Sequence, residues 1–72
     1  MEKLDFLKKL GNRIVQIRTE KGISQAELAR ICYKDRQSIE RVENAKSNPT
    51  AFYLKQIADG LEVPLKDLLD FE

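Results

Sequence analysis

Histidine is absent from this sequence of 72 residues, and cysteine occurs once, at Cys32. A lone thiol without an imidazole base is a poor start for nucleophilic catalysis, and no cluster of residues has metal-ligand spacing. No Gly-rich loop is present to cradle phosphates, so neither an enzyme nor a bound metal or cofactor is expected. One cysteine closes no internal disulfide, which fits a reducing compartment. No apolar run approaches the roughly 20 residues that cross a bilayer, and the Lys-rich, Asp-containing N-terminus lacks the apolar core of a signal peptide. A cytoplasmic location with no membrane partner is the expectation. Aromatic residues amount to 7%, too few for the stacking platforms that read single-stranded nucleic acid. So short a chain shows no evident pocket for a small-molecule effector.

Hydrophobic residues make up 42% and charged residues 35% of the chain, a balance that excludes a disordered tail and suits helices with one wet face. With no repeat, low-complexity tract or Gly/Ser linker, residues 1–72 are expected to form a single domain with a modest core. The net charge of +1 conceals a division: residues 1–58 carry 12 Lys or Arg against 7 Asp or Glu, whereas residues 59–72 carry 1 against 5. A polyanion would be attracted to the first part and repelled by the last. Mixed surface charge that merely maintains solubility is the plainer reading of the same numbers.

Five helices and no strand are expected. Leu4, Leu7, Leu10, Ile14 and Ile17 recur at three and four residues, placing an apolar stripe on a helix that runs to about Glu20 and stops at Gly22. Gly11 interrupts that stripe, at a cost of about 1 kcal/mol relative to Ala unless close packing requires it. Ser24 with Glu27 has the pattern of a capping box opening a second helix, Gln25 to about Cys32, whose buried side is Leu28, Ala29 and Cys32. Cys32 on that side reads as a small buried hydrophobe. Asp35 is a good N-cap for a third helix in which Ile39 and Val42 face inward, leaving Arg36, Gln37, Glu40, Arg41 and Asn44 outside. After a loop at "NAKSNP", Thr50 begins a fourth helix with Leu54, Ile57, Ala58 and Leu61. Pro64 opens a fifth, with Leu65, Leu68 and Leu69 on its apolar face and Phe71 beyond.

Two short helices joined by about four residues form the local pattern of a helix-turn-helix. The blocks "ISQAELA", "QSIERVEN", "NPT" and "IADGLEVPLKDLL" resemble successive segments of the phage repressor and Cro family of helix-turn-helix regulators, also called the XRE family. The resemblance covers roughly Leu10 to Leu69. It implies a five-helix bundle of the phage repressor DNA-binding type, whose second and third helices form the reading unit. It also implies double-stranded DNA with a pseudo-palindromic operator as the partner, and work as a homodimer.

Carried onto matching positions, the resemblance assigns base contacts to Arg36, Gln37 and Arg41, since Arg can donate two bonds to guanine and Gln can pair with adenine. Glu40, beside them, would accept from cytosine or orient an arginine. An intrahelical Arg36/Glu40 pair is the structural alternative. Gln25 would touch a phosphate and brace a side chain of the third helix, with Ser24 beside it. Glu43 would pair with Arg18 of the first helix. Asn44, Lys46, Ser47 and Asn48 in the following loop suit phosphate oxygens, with Arg13 as a further contact. The dimer surface would be formed by Leu65, Leu68, Leu69 and Phe71, divided between core and interface.

The family places Gly at the turn between the two helices, followed by an apolar residue, where this chain has Tyr33 and Lys34. A left-handed conformation at Tyr33 would cost roughly 1 kcal/mol more than at Gly. Either Tyr33 and Lys34 reach toward the DNA backbone, or the tyrosine lies over the core. Ala45 replaces the customary Gly after the third helix, and Gly60 with Glu62 invert the usual Ala and Gly near the end of the fourth. The function implied is a sequence-specific transcriptional regulator, as a repressor. A protein-interaction or antitoxin-like module that keeps the fold is the competing class, with the outward face of the third helix as the discriminating feature.

Overall fold

A computed structural model describes the whole chain, Met1 to Glu72, as five helices: α1 Lys3–Glu20, α2 Gln25–Ile31, α3 Arg36–Glu43, α4 Ala51–Leu61 and α5 Leu65–Leu68. No strand is present. Three of the starts are made by side chains that satisfy an orphan N–H. Ser24 accepts from the Glu27 amide at 3.0 Å, Asp35 from Ser38 at 2.8 Å and Thr50 from Tyr53 at 3.0 Å. The expected capping box at Ser24 is half formed: the hydroxyl bond is there, and the Glu27 carboxylate makes no return bond.

The ends of α1, α2, α3 and α4 share one device. After each helix a residue turns left-handed and two successive amides bond back to carbonyls of the last turn. The pairs are Gly22 to Thr19 with Ile23 to Arg18, Tyr33 to Arg30 with Lys34 to Ala29, Ala45 to Val42 with Lys46 to Arg41, and Glu62 to Asp59 with Val63 to Ala58. Only the first of the four uses glycine, at φ 70°; Tyr33, Ala45 and Glu62 hold φ 57°, 60° and 58°. Satisfying two carbonyls at each end offsets the crowding that a Cβ suffers in this region.

The core is a cluster of 12 buried residues drawn from all five helices and the residue after α2, with Leu10, Ile14, Leu28, Ile39, Ile57, Leu61 and Leu68 fully enclosed. Leu54 is only half-buried at its margin. Leu4 departs from the expected stripe, being 54% exposed. The 18-residue α1 outruns the 8-residue α3 and the 4-residue α5 that pack on it, so Leu4 in its first turn stays outside the core. Gly11 is explained by the crossing of α1 and α3. A Cβ there would sit 2.8 Å from the Glu43 carbonyl carbon, closer still to its oxygen, and 2.9 Å from the Val42 oxygen. No helix is long and apolar enough to cross a membrane.

Candidate nucleic-acid interface

The turn between α2 and α3 directs one side of α3 into the core through Ile39 and Val42 and leaves Arg36, Gln37, Arg41 and Asn44 exposed. What holds that outer face at a fixed angle is a polar chain running beneath it. The Arg18 guanidinium donates to both Glu43 carboxylate oxygens, at 2.7 and 3.0 Å, and through its remaining nitrogen to the Ile23 carbonyl at 2.9 Å. The Gln25 amide adds a third donor to Glu43 at 2.8 Å, and its oxygen accepts from Arg36 at 3.1 Å. Side-chain exposures of 12% for Arg18 and 3% for Glu43 put the pair largely out of water. Three donors on one carboxylate compensate for that desolvation. The route from Arg18 of α1 through Glu43 and Gln25 to Arg36 thus places an exposed cation by means of a buried ion pair.

The outer face itself is organised differently from the expectation. Glu40 steers neither arginine: it accepts from the Asn44 amide at 3.1 Å and faces the Lys46 ammonium at 3.7 Å. Arg36 is drawn to Gln25 instead, so the intrahelical Arg36/Glu40 pair does not form. Arg41 bends toward the α3–α4 loop and donates to the Lys46 carbonyl at 2.8 Å. The Gln37 side chain is exposed and makes no hydrogen bond within the chain. Ser24 lies exposed at the start of α2, its oxygen engaged as a cap. Lys46 and Asn48 are exposed in the loop, with Ser47 half-buried between them.

Arg13 is not brought to this face. Its guanidinium donates to the Asp67 carbonyl at 2.7 Å and to Gln16 at 3.0 Å, fastening α1 to α5. Leu68 is likewise removed from any interface, since it is fully buried. Leu65 and Phe71 pack half-buried against the core, with the Phe71 ring edge-on to Phe6 at 5.4 Å, and Leu69 remains 42% exposed. Tyr33 does not lie over the core; it is 92% exposed.

Sequence reading missed Tyr53. From the start of α4 its ring lies under the Lys34 ammonium, 5.1 Å from the centroid, and its hydroxyl shares a 2.8 Å hydrogen bond with Ser38 of α3. Burial pushes its phenol above the ordinary range, with the Ser38 bond acting in the other direction. The contact joins residues 15 apart in sequence, and no local pattern marks it. Cys32 is enclosed, its thiol raised first by burial and then opposed by the nearby Lys34 charge, which makes it inert packing.

Comparison with known proteins places this geometry. A helix-turn-helix family model matches residues 14–68. The HTH-type transcriptional regulator SinR of Bacillus subtilis is 39% identical over 64 residues, covering 85% of this chain and 56% of the relative, so the chain spans little more than half of SinR. Among solved structures, the restriction-modification controller protein C.AhdI of Aeromonas hydrophila superposes with a TM-score of 0.84 at 32% identity. The match covers 86% of this chain and 94% of that one. The hypothetical transcription factor NHTF from Neisseria gives a TM-score of 0.86 at 32% identity, covering 96% and 79%. With a family match over residues 14–68 and relatives 39% and 32% identical across most of its length, the chain belongs to the helix-turn-helix family of the phage repressor and Cro (XRE) type.

Proposed function

We propose that this chain is a sequence-specific transcriptional regulator that binds double-stranded DNA by placing α3 in the major groove. The observation that carries the reading is the outer face of α3. Arg36 is held in place by Gln25 while Gln37 and Arg41 stand exposed beside it, above a polar loop. Arg36, Gln37 and Arg41 read base edges, whereas Gln25, Lys34, Asn44, Lys46, Ser47 and Asn48 meet the phosphate backbone. Glu40 holds Asn44 and Lys46 on the loop side. SinR is named an HTH-type transcriptional regulator and C.AhdI a restriction-modification controller protein, which supports the class.

The protein works in the cytoplasm as a homodimer, with exposed Leu69 at the centre of the interface and Leu65 and Phe71 at its margin. Two-fold symmetry then calls for half-sites about one helical turn apart, ~34 Å. The acidic residues after Ala58 lie away from DNA. Selection of bound duplexes from a random pool, followed by titration across salt, tests the whole reading. The expected result is a pseudo-palindrome bound less tightly as salt rises. No binding at low salt, or binding indifferent to salt, would instead favour a protein-interaction module.

A further inference from the structure

Five clefts mark the surface, and four of them are lined by at least one carboxylate. The remaining one, about 290 Å³ between the α2–α3 turn, α3 and the loop entering α4, has none. Its walls carry two cations, Lys34 and Arg41, and the hydroxyls of Ser38, Ser47, Thr50 and Tyr53. Asp35 is the carboxylate whose charge reaches Tyr53 from outside the cleft, and it is engaged by the Ser38 amide as a helix cap. We propose that this cleft seats one backbone phosphate of duplex DNA, and that Tyr53 is the positioning residue that shapes it, its ring carrying the Lys34 ammonium and its hydroxyl fixing Ser38. The proposal rests on the DNA-binding reading above.

The chemistry of the cleft suits a singly charged phosphodiester. A lysine has a long flexible stem, and an ammonium already resting on an aromatic face loses less freedom when an anion arrives. Ser38 and Tyr53 together hold two hydroxyl protons, and their mutual bond uses one of them, whichever atom donates. The other is free to donate into the cleft. Arg41 gives one N–H to the Lys46 carbonyl and adds positive charge at the rim of the cleft, its remaining donors being left for the base edges. Thr50 has its oxygen occupied by the Tyr53 amide, so Tyr53 is fixed at its backbone as well as at its tip. The phenol stays protonated at neutral pH, because burial raises it further above an already alkaline value.

The test is fluorescence anisotropy of the full chain on labelled random-sequence duplex between 50 and 200 mM salt, for wild type, Lys34→Ala, Tyr53→Phe, Tyr53→Leu and the Lys34→Ala/Tyr53→Leu double variant. Losing one phosphate contact lowers the salt slope by about 0.9, so the wild-type advantage should shrink about 3.5-fold across that range for Lys34→Ala and for Tyr53→Leu. The double variant should lose no more slope than either single. Tyr53→Phe keeps the ring and should keep the slope while binding less tightly at every salt concentration. Lys34→Ala, at an exposed position, and Tyr53→Phe keep the experiment decisive should Tyr53→Leu unfold, which circular dichroism would reveal. A wild-type slope in Lys34→Ala overturns the phosphate seat, and additive slope losses in the double variant overturn the role of Tyr53. Saturation of the cleft by sodium phosphate alone, followed by NMR at matched ionic strength, would overturn the DNA backbone as its ligand. If wild type itself fails to bind duplex, the DNA-binding reading falls and this seat falls with it. Tight wild-type binding with unchanged slopes in all variants removes the seat alone.

Discussion

Glu40 and Glu43 stand three residues apart on α3. Glu43 takes three bonds from Arg18 and Gln25 inside the fold, while Glu40 meets only Asn44 and the Lys46 ammonium at the surface. The inner face of the helix therefore holds charge that cannot move, and the outer face holds charge that can. A carboxylate taken out of water is tolerated only when its lone pairs are filled, so Glu43 commits α1, α2 and α3 to one arrangement. The groups around Glu40 remain solvated and can exchange their partners for a ligand's. A reading surface needs both: side chains free to re-pair, carried on a helix whose angle is not free.

The sharpest way to break that comparison is to delete the two carboxylates separately. Glu43→Ala leaves Arg18 buried without its partner and should cost about 3 to 5 kcal/mol, most of the stability a chain of this size commands. Urea unfolding followed by circular dichroism should find the variant unfolded or close to it. Glu40→Ala should stay within about 0.5 kcal/mol of wild type. Comparable losses for both would mean that the inner network is not what fixes α3.

The complementary deletion acts on binding and spares stability. Arg36→Ala removes an exposed side chain whose one internal bond is to Gln25. Melting should change by no more than about 0.5 kcal/mol, while affinity for a selected duplex falls by about 1 to 3 kcal/mol and base preference relaxes at one position. Lys46→Ala should weaken selected and random duplexes alike. Equal losses on both kinds of duplex for Arg36→Ala would return that arginine to the backbone-contacting group.

How much of this was readable beforehand depends on the range of the interaction. Helix starts at Ser24, Asp35 and Thr50 follow from one side chain and an amide three residues on, and the left-handed turns at Tyr33, Ala45 and Glu62 were marked by where glycine was missing. The Arg18–Glu43 bond could be anticipated from the family pattern, though not from spacing. The partners of Arg13, Glu40 and Tyr53 lie on α5, on the loop and across 15 residues of chain, where no local pattern marks them. Those partners are chosen only once the helices dock. Leu4 failed for a related reason: periodicity says which side of α1 is apolar, but not how far along it the neighbours extend.

Gly11 carries the inner-face argument down to backbone contact. Gly11→Ala gains about 1 kcal/mol in helix propensity, yet its methyl would press on the Glu43 and Val42 carbonyls, which are backbone and cannot swing aside. Overpacking of that kind costs about 1 to 3 kcal/mol, so a net loss of roughly 1 kcal/mol is expected by urea unfolding. A gain in stability would show that α1 and α3 can separate without disturbing the Arg18–Glu43 bond.

The smallest effect belongs to the turn that joins the two faces. Tyr33 holds φ 57° with 92% of its surface exposed, so replacing it removes strain and almost no packing. Tyr33→Gly relieves about 1 to 2 kcal/mol of left-handed crowding and returns about 0.4 to 1 kcal/mol as added freedom of the unfolded chain. A net gain of roughly 0.5 kcal/mol and a melting point higher by a few degrees are expected. Tyr33→Ala keeps the crowded Cβ and should show no such gain, which separates strain from the loss of the ring. If alanine stabilises as much as glycine, the turn stores no strain, and the bonds from Tyr33 and Lys34 back to α2 define its geometry whatever side chain they carry.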